Sequence, residues 1–72
     1  MDYILGGIRF KTKPETEQNG KIIVEMIAEG QVVDTLKINS GMSSRDEINQ
    51  ISAIVLASYP ALSNTTGFKF KS

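Results

Sequence analysis

The chain has 72 residues, eight basic and eight acidic side chains, no net charge, and 40% apolar residues. It carries no Cys and no His, which excludes disulfides, thiolate nucleophiles, the usual zinc sites and any general base that titrates unperturbed near neutrality. A chain this short forms one domain, 1–72, and buries only about 60% of its unfolded surface; with disulfides and zinc excluded, self-association is the stabiliser left, and a homo-oligomer is expected.

The N-terminus, "MDYILGGIRF", lacks the basic start and apolar core of a signal peptide. No apolar run approaches the roughly 18 residues of a membrane span. A soluble cytoplasmic protein with no membrane partner is expected. Residues 3–12 read as a first strand with Ile4, Ile8 and Phe10 on one face, and Gly6-Gly7 as a bulge or close backbone approach within it. The glycine spacing of the phosphate-loop fingerprints is missing. "KPETEQNG" then reads as a polar connection closed by the turn dipeptide Asn19-Gly20.

"KIIVEMIA", residues 21–28, is rich in β-branched residues and predicts a second strand. Glu29-Gly30 turns the chain, and "QVVDTLKI", residues 31–38, returns as a third. A two-residue loop here would set Glu25 opposite Asp34, a repulsive pair. A three-residue loop with Gly30 in a left-handed bulge aligns Ile22, Val24 and Met26 with Leu36, Asp34 and Val32. That register is preferred, although it leaves Asp34 on the apolar face opposite Val24.

Ser44 with Glu47 three residues on predicts a capping box, and Asp46 and Glu47 suit the positive end of a helix dipole. Ile48, Ile51, Val55 and Tyr59 share one helical face, flanked by Ile54 and Leu56, with Ala53 and Ala57 behind. Pro60 ends the helix. Asn64-Thr65-Thr66 matches a glycosylation sequon but reads as a turn before a short terminal strand, "FKFKS". The fold class is therefore α+β: a small antiparallel sheet, elements in the order β-β-β-α-β, with one helix packed on one face.

Alternation of side chains fixes the faces of such a sheet. With Ile4, Ile8, Phe10, Ile22, Val24, Met26, Leu36, Ile38, Phe68 and Phe70 toward the helix, the other face receives Arg9, Lys11, Lys13, Lys21, Lys37, Lys69 and Lys71. Those are seven of the eight basic residues, with Glu25 as the one acid. Lysines on an open face keep a sheet soluble. The same face would also carry Tyr3, Leu5, Ile23, Ile27 and Val33, more large apolar groups than a solvated face collects, so these are the candidate partner-binding residues.

The paired carboxylates Asp46-Glu47 and Glu15-Glu17 lie at a helix start and in a polar loop, and read as solvated pairs rather than acid–base machinery. No catalytic, cofactor-binding or metal-binding residue is predicted, and the protein is not expected to be an enzyme. Two functions remain. One is a non-catalytic protein-binding module, an accessory protein, inhibitor or adaptor, whose contact core is Ile23, Ile27 and Val33. The other is nucleic-acid binding, with the seven cations on phosphates and Tyr3 stacked on a base. Three strands followed by a helix resemble the arm-binding domains of phage integrases. "NGKIIVEM" followed by a capped helix is similar to single-stranded-DNA-binding coactivator domains, which have four strands before the helix. These resemblances imply binding through the sheet and carry over no individual residue. Neutral overall charge and the inward parity of Phe10, Phe68 and Phe70 place protein binding first.

Overall fold

A computed structural model describes residues 2–64. The expected strand at 68–72, with Phe68 and Phe70 in the core and Lys69 and Lys71 on the outer face, lies outside them, as does most of the sequon. Within them the order is β1 (Asp2–Leu5), β2 (Ile8–Gln18), β3 (Lys21–Ala28), β4 (Gln31–Asn39), α1 (Ser44–Ser58) and a 3-10 turn at Pro60–Asn64. Four strands, not three, precede the helix. They form a meander in which each strand pairs antiparallel with the next.

The extra strand arises at Gly6-Gly7. Both glycines have left-handed backbone, φ 59° and 81°, the requirement of a two-residue type I′ hairpin turn. A hairpin reverses the parity expected of one continuous strand. Leu5 pairs with Ile8, Ile4 with Arg9 and Tyr3 with Phe10. Tyr3 therefore enters the core at 8% exposure, Leu5 packs against it, and Ile4 points outward at 73%. The expected placement of Tyr3 and Leu5 outside and Ile4 inside is corrected accordingly.

β2 also runs further than expected, through the segment read as a connection. Between the pairs Lys13–Ile23 and Gln18–Lys21, residues 14–17 face Ile22 alone. This wide irregularity accommodates Pro14, which has no N–H to offer a ladder. Thr16 closes the gap: its Oγ1 accepts from Ile23 N at 2.9 Å and donates to Lys13 O at 2.6 Å. The threonine hydroxyl thus stands in for a backbone group that the bulge displaces.

The β3–β4 hairpin starts in the two-residue register and, beyond a bulge, continues in a register that neither sequence alternative contains. Glu29 and Gly30 have φ 53° and 77°, so the loop has two residues, with Ala28 opposite Gln31 and Ile27 opposite Val32. Val33 is then bulged, and beyond it Met26 faces Asp34, Glu25 faces Thr35, Val24 faces Leu36 and Ile22 faces Ile38. The three-residue loop is therefore corrected. The bulge itself relieves the Glu25–Asp34 repulsion by bringing a threonine opposite the glutamate. Asp34 remains on the helix side, where it accepts from Tyr59 Oη at 2.8 Å and from Thr35 N at 2.8 Å.

Phe10, Val24, Ile38, Ile51 and Val55 are the largest fully buried side chains, with Tyr3, Ile22 and Met26 around them. Truncating such a residue removes both transfer energy and packing, roughly 2–5 kcal/mol for Ile51→Ala. Ile48, Ile54, Leu56, Met42 and Leu62 pack at the margin, whereas Ala53 and Ala57 are exposed. Tyr59 is not core but 39% exposed. Its backbone N–H caps the helix on Val55 O at 2.7 Å.

The helix start is shifted by one residue from the expected box. Ser43, not Ser44, is the N-cap: it is extended, its Oγ accepts from Asp46 N at 3.3 Å and its carbonyl from Glu47 N at 2.9 Å. The Glu47 carboxylate accepts instead from the Tyr3 hydroxyl, which ties the first helical turn to β1. Ser43→Ala is expected to lower stability by about 1 kcal/mol in urea unfolding; an unchanged midpoint would contradict the assigned cap.

Candidate binding face

The register sorts the outer face of the sheet into rows. One row crosses all four strands as Ile4, Arg9, Ile27 and Val32. The next contains Asp2, Lys11, Glu25 and Thr35; then come Lys13, Ile23 and Lys37, and last Gln18, Lys21 and Asn39. The first row lies at the Gly6-Gly7 and Glu29-Gly30 end, the last beside Asn19-Gly20. Most of the aliphatic residues therefore gather at one end, around Arg9, and most of the lysines toward the other, with Ile23 between Lys13 and Lys37.

At the apolar end Ile4, Val32 and the bulged Val33 are 73%, 51% and 53% exposed. Ile4 and Val32 join this surface only through the hairpin and bulge geometry, and sequence parity missed both. Ile23 and Ile27 do face outward but are half-buried. Ile23 is flanked across the ladder by Lys13 and Lys37, whose methylene stems can cover it. Of the five predicted partner-binding residues, Ile27 and Val33 lie at the apolar end, Ile23 among the lysines, and Tyr3 and Leu5 on the opposite face.

All five described cations expected on this face are there. Arg9 donates to Asp2 through Nε at 3.1 Å and also through Nη2, and this pairing holds the Asp2 carboxyl below its ordinary value. Lys13 Nζ lies 3.5 Å from Glu25 Oε2. Both pairs are partly solvated, so each contributes little to stability. Lys21 donates to Asn39 Oδ1 at 2.6 Å. Lys11, Lys21 and Lys37 form no ion pair among the described residues. Glu25 is joined as an outer-face acid by Asp2.

Near Asn19-Gly20 the irregular part of β2 leaves a hollow of about 160 Å³ lined by Thr16, Gln18, Asn19, Lys21, Ile22, Ile23 and Lys37. The free edge of β4 is partly closed: Thr35 N donates to Asp34 Oδ1, and Asn39 N to Gln50 Oε1 at 2.9 Å. Side chains thus occupy two of the donors that an added strand would need. Among the described residues no group of His, Cys, Asp and Glu could hold a metal ion, and no helix is long and apolar enough to cross a membrane.

Fold and face together define a small α+β protein, a four-stranded antiparallel meander covered on one side by a helix, with an outer face apolar at one end and basic at the other. No protein family, curated protein or solved structure matches the chain.

Two tyrosines set an alkaline limit on this fold. Burial, and then the hydrogen bond to Glu47, raises the Tyr3 phenol above its ordinary value of 10.0; the hydrogen bond to Asp34 raises Tyr59 in the same direction. Above pH 10.0 the unfolded chain therefore gives up these protons first, and stability falls as pH rises. The urea midpoint is expected to decline in that range, less steeply in Tyr3→Phe. Equal slopes for both proteins would contradict the buried phenol.

Proposed function

We propose that this chain is a non-catalytic binding protein, an accessory protein, inhibitor or adaptor, that docks another protein on the apolar end of its outer sheet face. The observation that carries this reading is the outward row of exposed Ile4, half-buried Ile27 and exposed Val32, with exposed Val33 beside it and Arg9 at its centre. Aliphatic groups brought together from β1, β3 and β4 mark a contact surface, and arginine, supplied here by β2, is enriched in such contacts. Lys11 and Lys13 in the next rows complement a partner whose contact is rimmed by acids. Self-association through the same row is the form of this contact that the chain's small core favours.

A second reading, nucleic-acid binding, is supported by two observations: Lys11, Lys21 and Lys37 lack ion pairs among the described residues, and four strands precede the helix, as in single-stranded-DNA-binding coactivator domains. Zero net charge weighs against a dedicated polyanion binder.

The two readings separate in one experiment. The wild type, Ile4→Asp and Lys11→Ser are compared in pull-downs from nuclease-treated host extract at high salt, with sedimentation equilibrium of each purified protein. Ile4 is exposed, so its charge substitution is expected to leave the circular dichroism unchanged. Protein capture or self-association should survive high salt and Lys11→Ser, and be lost in Ile4→Asp. Capture or self-association that persists in Ile4→Asp would overturn the proposal, as would binding that nuclease or salt removes.

A further inference from the structure

We infer that the hollow beside Asn19-Gly20 is a phosphate-binding site, separate from the apolar row at the other end of the sheet. Its lining residues include two lysines, Lys21 and Lys37, and two residues with amide side chains, Gln18 and Asn19, and no Asp or Glu. Two cations and two amide donors around one concavity match the acceptor-only chemistry of a phosphate oxygen cluster. Of the neighbouring acids, Glu17 Oε2 accepts from Ser40 Oγ at 3.2 Å, and Glu25 is held by Lys13.

The hollow has a structural cause. β2 carries three more residues than β3 between their flanking pairs, and Thr16 turns its hydroxyl to both Lys13 O and Ile23 N. With both its donor and its acceptor engaged, Thr16 shapes the wall and Lys21, Lys37 and the amides are left to bind. Lys21 is already steered by Asn39 Oδ1 at 2.6 Å, which uses one of the three donors of its ammonium group. Lys37 has no ion pair among the described residues. The ligand chemistry is a phosphate group, either a free or terminal phosphate or the diester of a nucleic-acid strand.

Amide-resolved NMR titration of the intact chain with inorganic phosphate, at ionic strength fixed with chloride, tests this directly. Saturable shifts are expected at Thr16, Asn19, Lys21 and Lys37 and not along the Ile4–Val32 row. Lys37→Gln should raise the dissociation constant about tenfold, the scale of one charge-assisted hydrogen bond, whereas Arg45→Gln on the exposed face of α1 should leave it unchanged. A parallel titration with an oligothymidylate identifies the source: tighter binding at the same amides, with a salt slope that shrinks in Lys37→Gln, points to a nucleic-acid strand, and phosphate binding without it to a small phosphate. Shifts spread over all lysines, no saturation by either ligand, or equal effects of Lys37→Gln and Arg45→Gln would overturn the site. Loss of protein capture in Ile4→Asp is independent of every one of these outcomes.

Discussion

The arrangement of this protein depends on three two-residue turns whose central residues have left-handed backbone: Gly6-Gly7, Asn19-Gly20 and Glu29-Gly30. Turns of this hand match the natural twist of paired strands. Each fixes which residues stand opposite, and so which side chains go to the helix and which to the outer face. Because the side-chain period is two, a single changed turn exchanges the faces of a whole strand. The turns thus decide which side chains enter the core and which stand on the outer face. Glu29, at φ 53°, accepts a conformation that costs an L-residue roughly 1–2 kcal/mol, a measure of how strongly the rest of the sheet holds this register.

Around those turns, side chains repair what the backbone leaves open. Thr16 Oγ1 bridges the wide irregularity in β2, Asp34 on the helix side finds Tyr59 and Thr35 N, and Gln50 occupies Asn39 N at the β4 edge. Buried side-chain nitrogen and oxygen atoms among the described residues all have partners. These repairs also shape the surface. The edge of β4 is made less receptive to another strand, the β2 irregularity opens a hollow among lysines, and the Val33 bulge places a further valine on the surface near Val32. The two proposed contacts thereby fall at the two ends of one sheet face.

Much of this was legible in the residues. Periodicity gave α1 to within a residue, β-branched composition gave β3 and β4, and alternation put Arg9, Lys11, Lys13, Lys21 and Lys37 on one face. The failures share a physical cause. Gly6-Gly7 is short enough to be a bulge or a turn, and only tertiary pairing with Ile8 decides, so Tyr3 and Ile4 were exchanged. Repulsion between Glu25 and Asp34 was identified correctly, but a bulge at Val33 relieves it as well as a longer loop does, and local sequence does not rank the two. Ser43 and Ser44 both offer a capping hydroxyl; the hydrogen bond from Tyr3 draws Glu47 away from the box that would have favoured Ser44.

The absence of native cysteine makes the central claim directly measurable: that the Gly6-Gly7 hairpin turns Tyr3 inward and Ile4 outward. The measurement is the rate of maleimide labelling of two single-cysteine variants, Ile4→Cys and Tyr3→Cys, in native buffer, each referred to its own rate in urea. The account predicts that Ile4→Cys labels nearly as fast folded as unfolded and that Tyr3→Cys is strongly protected. Protection of position 4 with free labelling of position 3 would contradict it, restoring one continuous first strand and removing the apolar row on which the proposed contact stands.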